Sequence, residues 1–99
     1  MDRVKFNSIA NSIAKAYGIN KSKIFERSKK QVITQPRHLL WHVCNEKGIP
    51  NAFIEAFTIE NGFMVKNSTV SRGISRAKEI IKADERVRNL SESLIKSNQ

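Results

Sequence analysis

Asn61-Gly62-Phe63-Met64-Val65-Lys66-Asn67-Ser68-Thr69-Val70-Ser71-Arg72-Gly73-Ile74 is the stretch that decides the fold. Asn61-Gly62 ends one helix and makes a turn, because both residue types tolerate the backbone angles that a helix stop requires. Phe63-Met64-Val65 is a short apolar connector. Asn67 or Ser68 then caps a second helix, on which Val70, Ile74, Ala77 and Ile81 share one face while Arg72, Arg76 and Lys82 point elsewhere. Two helices joined in this way, over about 50–82, make a helix-turn-helix.

Upstream, Pro50 opens the first helix of that pair, with Phe53, Ala56 and Phe57 on one apolar face. Gly48 ends an earlier helix, which starts near Thr34 because a proline such as Pro36 is tolerated in a first turn and breaks an interior. Its apolar side is Leu39, Leu40, Val43 and Cys44, continued by Lys47, and Trp41 is expected to pack in the core. Nearer the start, Phe6, Ile9, Ala10, Ile13, Ala14 and Tyr17 recur at the spacing of a helical face, and Gly18 stops that helix. Asn20 caps a short helix through Ile24 and Phe25, and 27–31 reads as a basic loop. Downstream, Asp84 and Glu85 suit the positive start of a last helix, about 84–96, carrying Val87, Leu90 and Leu94, after which 97–99 is expected to fray. No strand pattern or internal repeat interrupts the series. The expected fold is all-α: one domain over 1–99, a compact bundle of about six helices.

Composition narrows the function. An apolar content of 39 % in 99 residues closes one modest core and leaves no scaffold for a large catalytic cleft. No clustered acids and no nucleophile with its base can be assembled, so no enzyme is expected. The chain carries 18 Lys+Arg against 9 Asp+Glu, a net +9 that attracts polyanions. Lys21, Lys23, Arg27, Lys29, Lys30 and Arg37 concentrate that charge in a stretch holding one acid, Glu26. No run is long and apolar enough for a membrane span, and Met1-Asp2-Arg3-Val4-Lys5 lacks the apolar centre of a secretory signal, so a cytoplasmic, nucleoid-associated location is expected. The single Cys44 reads as a small buried apolar residue. His38, His42 and Glu46 fall at i, i+4 and i+8, but one helix face lacks the fourth ligand of a structural zinc site and its neighbours are cationic. No metal or cofactor is expected. His42 is placed on the surface and His38 beside a DNA backbone.

The chemistry centres on the start of the second helix. Lys66, Asn67, Ser68 and Thr69 are short or hydrogen-bonding side chains that can approach base edges while the helix N-terminus favours a phosphate. Arg72 and Arg76 follow on the same helix as candidate phosphate contacts.

From about Ile9 to Ile81 the chain resembles the C-terminal DNA-binding domain of the bacterial chromosomal replication initiator DnaA. The resemblance rests on Ile9 and Ile13 followed by Tyr17-Gly18-Ile19, on Ser28-Lys29-Lys30, on Pro36-Arg37-His38, and on Asn67-Ser68-Thr69-Val70-Ser71-Arg72-Gly73-Ile74. It implies a Trp-repressor/DnaA-like bundle in which Arg37 enters a minor groove, Lys66, Asn67, Ser68 and Thr69 face the major groove, and Lys29 and Lys30 hold phosphates. Asn67 would pair with an adenine and the Thr69 methyl would touch a thymine methyl. Lys66 and Asn67 depart from the family's usual Asp-His, so a different preferred site is expected, and the helix-turn-helix is a few residues longer. The chain has no phosphate-binding Gly-Lys-Ser/Thr motif and no room for an ATPase module. The expectation is a stand-alone, sequence-specific binder of double-stranded DNA, of the kind a phage or other mobile element encodes, regulating transcription or assisting replication. The competing readings are a protein-interaction module acting on a host replication or transcription protein, and an RNA-binding protein.

Overall fold

Apolar residues at helical spacing place every long element. The computed structural model, which describes residues 2–97, contains six helices: α1 (Asp2–Tyr17), α2 (Lys21–Ile24), α3 (Gln31–Glu46), α4 (Asn51–Glu60), α5 (Asn67–Ala83) and α6 (Glu85–Lys96). No strand occurs among the described residues. The six-helix, all-α expectation holds. One continuous core runs from Phe6 on α1 to Leu94 on α6, and α3 lies at its centre, touching all five other helices.

α1 buries Phe6, Ile9, Ala10, Ile13 and Ala14, the face its spacing predicted, and Gly18 turns the chain at φ +67°, a region that disfavours a Cβ. α5 buries Val70, Gly73, Ile74 and Ala77 and leaves Arg72, Arg76 and Lys82 exposed. α6 starts as expected: the Asp84 side chain accepts hydrogen bonds from the amides of Arg86 (2.9 Å) and Val87 (3.2 Å). Its other end is held by Lys47, whose Nζ donates to the carbonyls of Leu94, Ile95 and Ser97. A cation on the last carbonyls of a helix satisfies acceptors that have no intrahelical donor. Ser97 is therefore tied down; residues 98 and 99 of the expected tail lie outside the described residues.

Four local expectations need correction. α3 begins at Gln31, one turn before Thr34, because the carbonyl of Lys30 already accepts from the amides of Ile33 and Thr34 (both 2.9 Å). Pro36 thus sits inside the helix. The bond it cannot make is the one to Val32, a residue 66 % exposed, where water is an alternative donor. Secondly, the inward face of α4 is Ile54, Phe57 and Thr58, while Ala56 is exposed and Phe53 is 49 % exposed. Thirdly, Asn20 stands at the N-cap of α2 without a side-chain cap bond. Lastly, neither Asn67 nor Ser68 caps α5: the N-cap position is Lys66.

The α3–α5 contact turns on one missing side chain. Trp41 is 1 % exposed, and its Nε1 donates to Thr58 Oγ1 at 3.0 Å, while that hydroxyl donates to the Ile54 carbonyl at 2.7 Å. The indole is thereby fixed against α4. A Cβ at Gly73 would lie 2.5 and 2.6 Å from Trp41 Cε3 and Cζ3 and 2.8 Å from His38 Cδ2. No described helix is long and apolar enough to cross a membrane.

Gly73→Ala should therefore destabilise the protein. Alanine gains about 1 kcal/mol of helix propensity over glycine, but overpacking against a hydrogen-bonded indole costs about 1–3 kcal/mol. Urea unfolding should show a lower midpoint at an unchanged slope. A raised midpoint would mean that Trp41 gives way freely.

Candidate nucleic-acid interface

α4 and α5 pack on each other and are joined by residues 61–66, with Gly62 at φ +100° in the turn. The connection delivers Lys66, Asn67 and Ser68 to the surface, all exposed, with Thr69 half-buried behind them. Arg72, one turn further on, donates from Nη2 to Thr69 Oγ1 at 3.4 Å. The four residues expected to face bases are thus adjacent at one helix end.

That end carries uncompensated positive charge, as does the start of α3, where Lys30 is likewise an uncapped N-cap with no acid in the first turn. The first turn of α5 contains no acid, no side chain caps it, and the N-cap residue is itself a lysine. Unpaired amides and the helix dipole already make an N-terminus positive, so a lysine there opposes the stability of the helix. α6 differs, with Asp84 as cap and Glu85 in the first turn.

The basic loop joins this region through the connector. Arg27, Lys29, Thr34 and Arg37 share a shallow groove of about 320 Å³ with Phe63 and Met64. Arg27, Lys29 and Lys30 are exposed and form no ion pair among the described residues. Lys30 donates its amide to Ser28 Oγ at 3.1 Å, which shapes the bend before α3. Lys29 is thus placed beside the lead-in to α5.

Arg37 is not presented as a groove reader. It is 4 % exposed. Its Nε donates to the Ile24 carbonyl at 2.8 Å and its Nη2 to the Glu26 carbonyl, while its guanidinium lies 4.0 Å from the centre of the Phe63 ring. A planar cation satisfies carbonyls in its plane and an aromatic face above it at the same time. Burial lowers its pKa. Arg37 therefore ties the end of α2, just ahead of the basic loop, to the connector that leads into α5, and in this structure it is not presented for the minor-groove contact expected of it.

His38 is likewise engaged within the fold. Its ring is half-buried and lies 5.7 Å from the Trp41 ring, centre to centre. Burial, with the charges of Arg37 and Arg76, lowers its pKa to about 4. It is neutral at pH 7 and packs between α3 and α5. His42, expected at the surface, is 5 % exposed, and its Nδ1 has no hydrogen-bond partner among the described residues. Burial lowers its pKa too, with Glu46 opposing and Lys78 assisting. Cys44 is fully buried, as expected, and burial raises its pKa. Among the described residues no three His, Cys, Asp or Glu side chains are placed to hold a metal ion. Arg76 is exposed on α5 near His38.

Two features escaped the sequence reading. Asn45 Nδ2 donates to Asn51 Oδ1 at 2.9 Å and Asn51 Nδ2 to Ser71 Oγ at 3.3 Å, an exposed polar chain from α3 through α4 to α5. These residues are 6 and 20 apart in sequence and no local pattern marks them. Phe63 as the stacking partner of Arg37 was hidden for the same reason. No protein-family model matches the chain, and no curated protein or solved structure shows significant similarity to it.

Arg37→Lys should lower stability by about 1–3 kcal/mol, since an ammonium cannot hold both carbonyls and leaves a buried acceptor unpaired. Amide exchange in 25–30 should accelerate. Unchanged stability combined with lost DNA binding would restore a direct role for Arg37. His38 carries a pH signature: its imidazole titrates near 6.5 when unfolded and about 4 when folded, so the unfolded state binds more protons between those values. Stability should be fullest above pH 6.5 and fall toward pH 4, by at most about 1.4 kcal/mol per pH unit from this group, a slope that His38→Gln should reduce. An NMR titration midpoint near 6.5 in the folded protein would refute the assignment.

Proposed function

We propose that this protein binds double-stranded DNA sequence-specifically, with the leading end of α5 in the major groove. Lys66, Asn67, Ser68 and Thr69 face base edges, and Lys29, Lys30, Arg72 and Arg76 contact phosphates. The observation that carries the reading is the start of α5. A helix of 17 residues that begins with an exposed lysine, no cap and no acid forgoes stability that a single aspartate would supply. Such a sacrifice is characteristic of sites that receive an anion from outside. Arg37 enters only as the strap that sets the basic loop beside the connector. The resemblance to the DnaA C-terminal domain supports the same mode of docking, in a regulator of transcription or an accessory of replication.

Lys66→Asp tests this directly. It should stabilise the fold by about 0.5–2 kcal/mol, as a proper cap does, while weakening binding to every duplex. Asn67→Ala should cost about 1–3 kcal/mol on a duplex selected from a random pool and almost nothing on unselected DNA. Lys30→Ala should weaken both alike and lower the salt slope by about 1. Equal losses on both duplexes for Asn67→Ala remove the base-reading role. Preference for structured RNA over duplex DNA in competition overturns the proposal.

A further inference from the structure

α4 is the one described helix without a lysine or arginine; its charges are Glu55 and Glu60. It also carries Phe53, 49 % exposed, beside Val4 of α1, 69 % exposed. Together with Ala56 and Phe57 these residues line a groove of about 550 Å³ whose charged members are Arg3, Glu60 and Asp2. Two of the four large hydrophobic side chains most exposed on the described surface thus meet in one concavity, a pattern that marks interaction sites rather than scattered surface apolars. The Phe53 ring is braced against Phe57, 6.1 Å between centres.

We propose that this groove is the contact between two copies of the chain, related by a two-fold axis. Charge selects the occupant. The chain carries +9, and of its helices α4 alone adds no cation, so two copies repel least when they meet there. Arg3 forks onto Glu60, with Nε 3.0 and 3.2 Å from its two carboxylate oxygens and Nη2 3.0 Å from one, and both side chains are largely exposed. A strictly basic partner would face Arg3 unfavourably, and a strictly acidic one would face Glu60 and Asp2. A second copy brings the same mixture in reverse, so each Arg3 can serve the Glu60 of the other copy while each Phe53 enters the opposite groove. None of Lys29, Lys30, Lys66, Asn67, Ser68 or Thr69 lines this groove, and the inference stands independently of the DNA reading.

Sedimentation velocity of the full chain, without DNA, tests it at about 0.15 M salt from roughly 10 μM to 1 mM, where small interfaces associate. The mass should rise from 11.3 kDa toward twice that value. Phe53→Asp and Val4→Asp, both at exposed positions, should each weaken association at least about tenfold, as loss of a buried apolar anchor does. Arg3→Glu should weaken it, and Arg3→Glu with Glu60→Arg should recover it. A chain that stays monomeric throughout, or dimers that survive both aspartate variants, overturns the proposal and leaves the groove to a partner of other chemistry.

Discussion

The packing of Trp41 against the bare backbone at Gly73 is the constraint on which the rest of the molecule depends. Thr58 holds the indole from one side, and Gly73 accepts its face from the other. Three helices are thereby fixed around one ring: α3 by carrying it, α4 by bonding it, α5 by making room for it. α5 could not approach α3 this closely with any other residue at 73, and the position of its leading end follows from that approach.

The same α3 controls the second half of the candidate interface. One turn before Trp41, Arg37 reaches back to the chain segment that ends α2 and forward to Phe63. The basic loop and the start of α5 are remote in sequence, yet one guanidinium ties the loop to the connector before Lys66. His38, between Arg37 and Trp41 on the chain, lies against the Trp41 ring as a neutral imidazole within the influence of Arg76. Arg37 and His38, adjacent in the sequence, are therefore both engaged in packing within the fold. The exposed residues at 29–30 and 66–68 do not share that burial.

How much of this the sequence discloses depends on the range of the interaction. Helical periodicity is local, so α1, α5 and α6 and most of their buried faces are readable from Phe6, Val70, Val87 and their partners. Positive charge and the exposed start of α5 are readable for the same reason. α4 misleads, because Phe53 and Phe57 look like one apolar stripe, whereas Phe53 is exposed and Ile54 and Thr58 join Phe57 inside, Thr58 bonding Trp41. α3 misleads twice: Pro36 is tolerated inside a helix whose neighbouring exposed residue absorbs the missing donor, and Arg37 looks like a surface cation until two main-chain carbonyls and a ring are brought around it. The strap and the Asn45–Asn51–Ser71 chain are tertiary facts, and no spacing rule announces them.

The choice of acceptors for Arg37 has a consequence for how such a protein can diversify. Its hydrogen bonds end on main-chain carbonyls at 24 and 26, and its stacking partner is at 63. Every residue type offers the same carbonyl, so substitutions at 27–30 leave those bonds chemically intact, and substitutions at 66–69 do not reach the stacked pair. The scaffold is thus indifferent to the identity of its most exposed basic and polar positions, and descendants of this chain can vary there while inheriting the same frame.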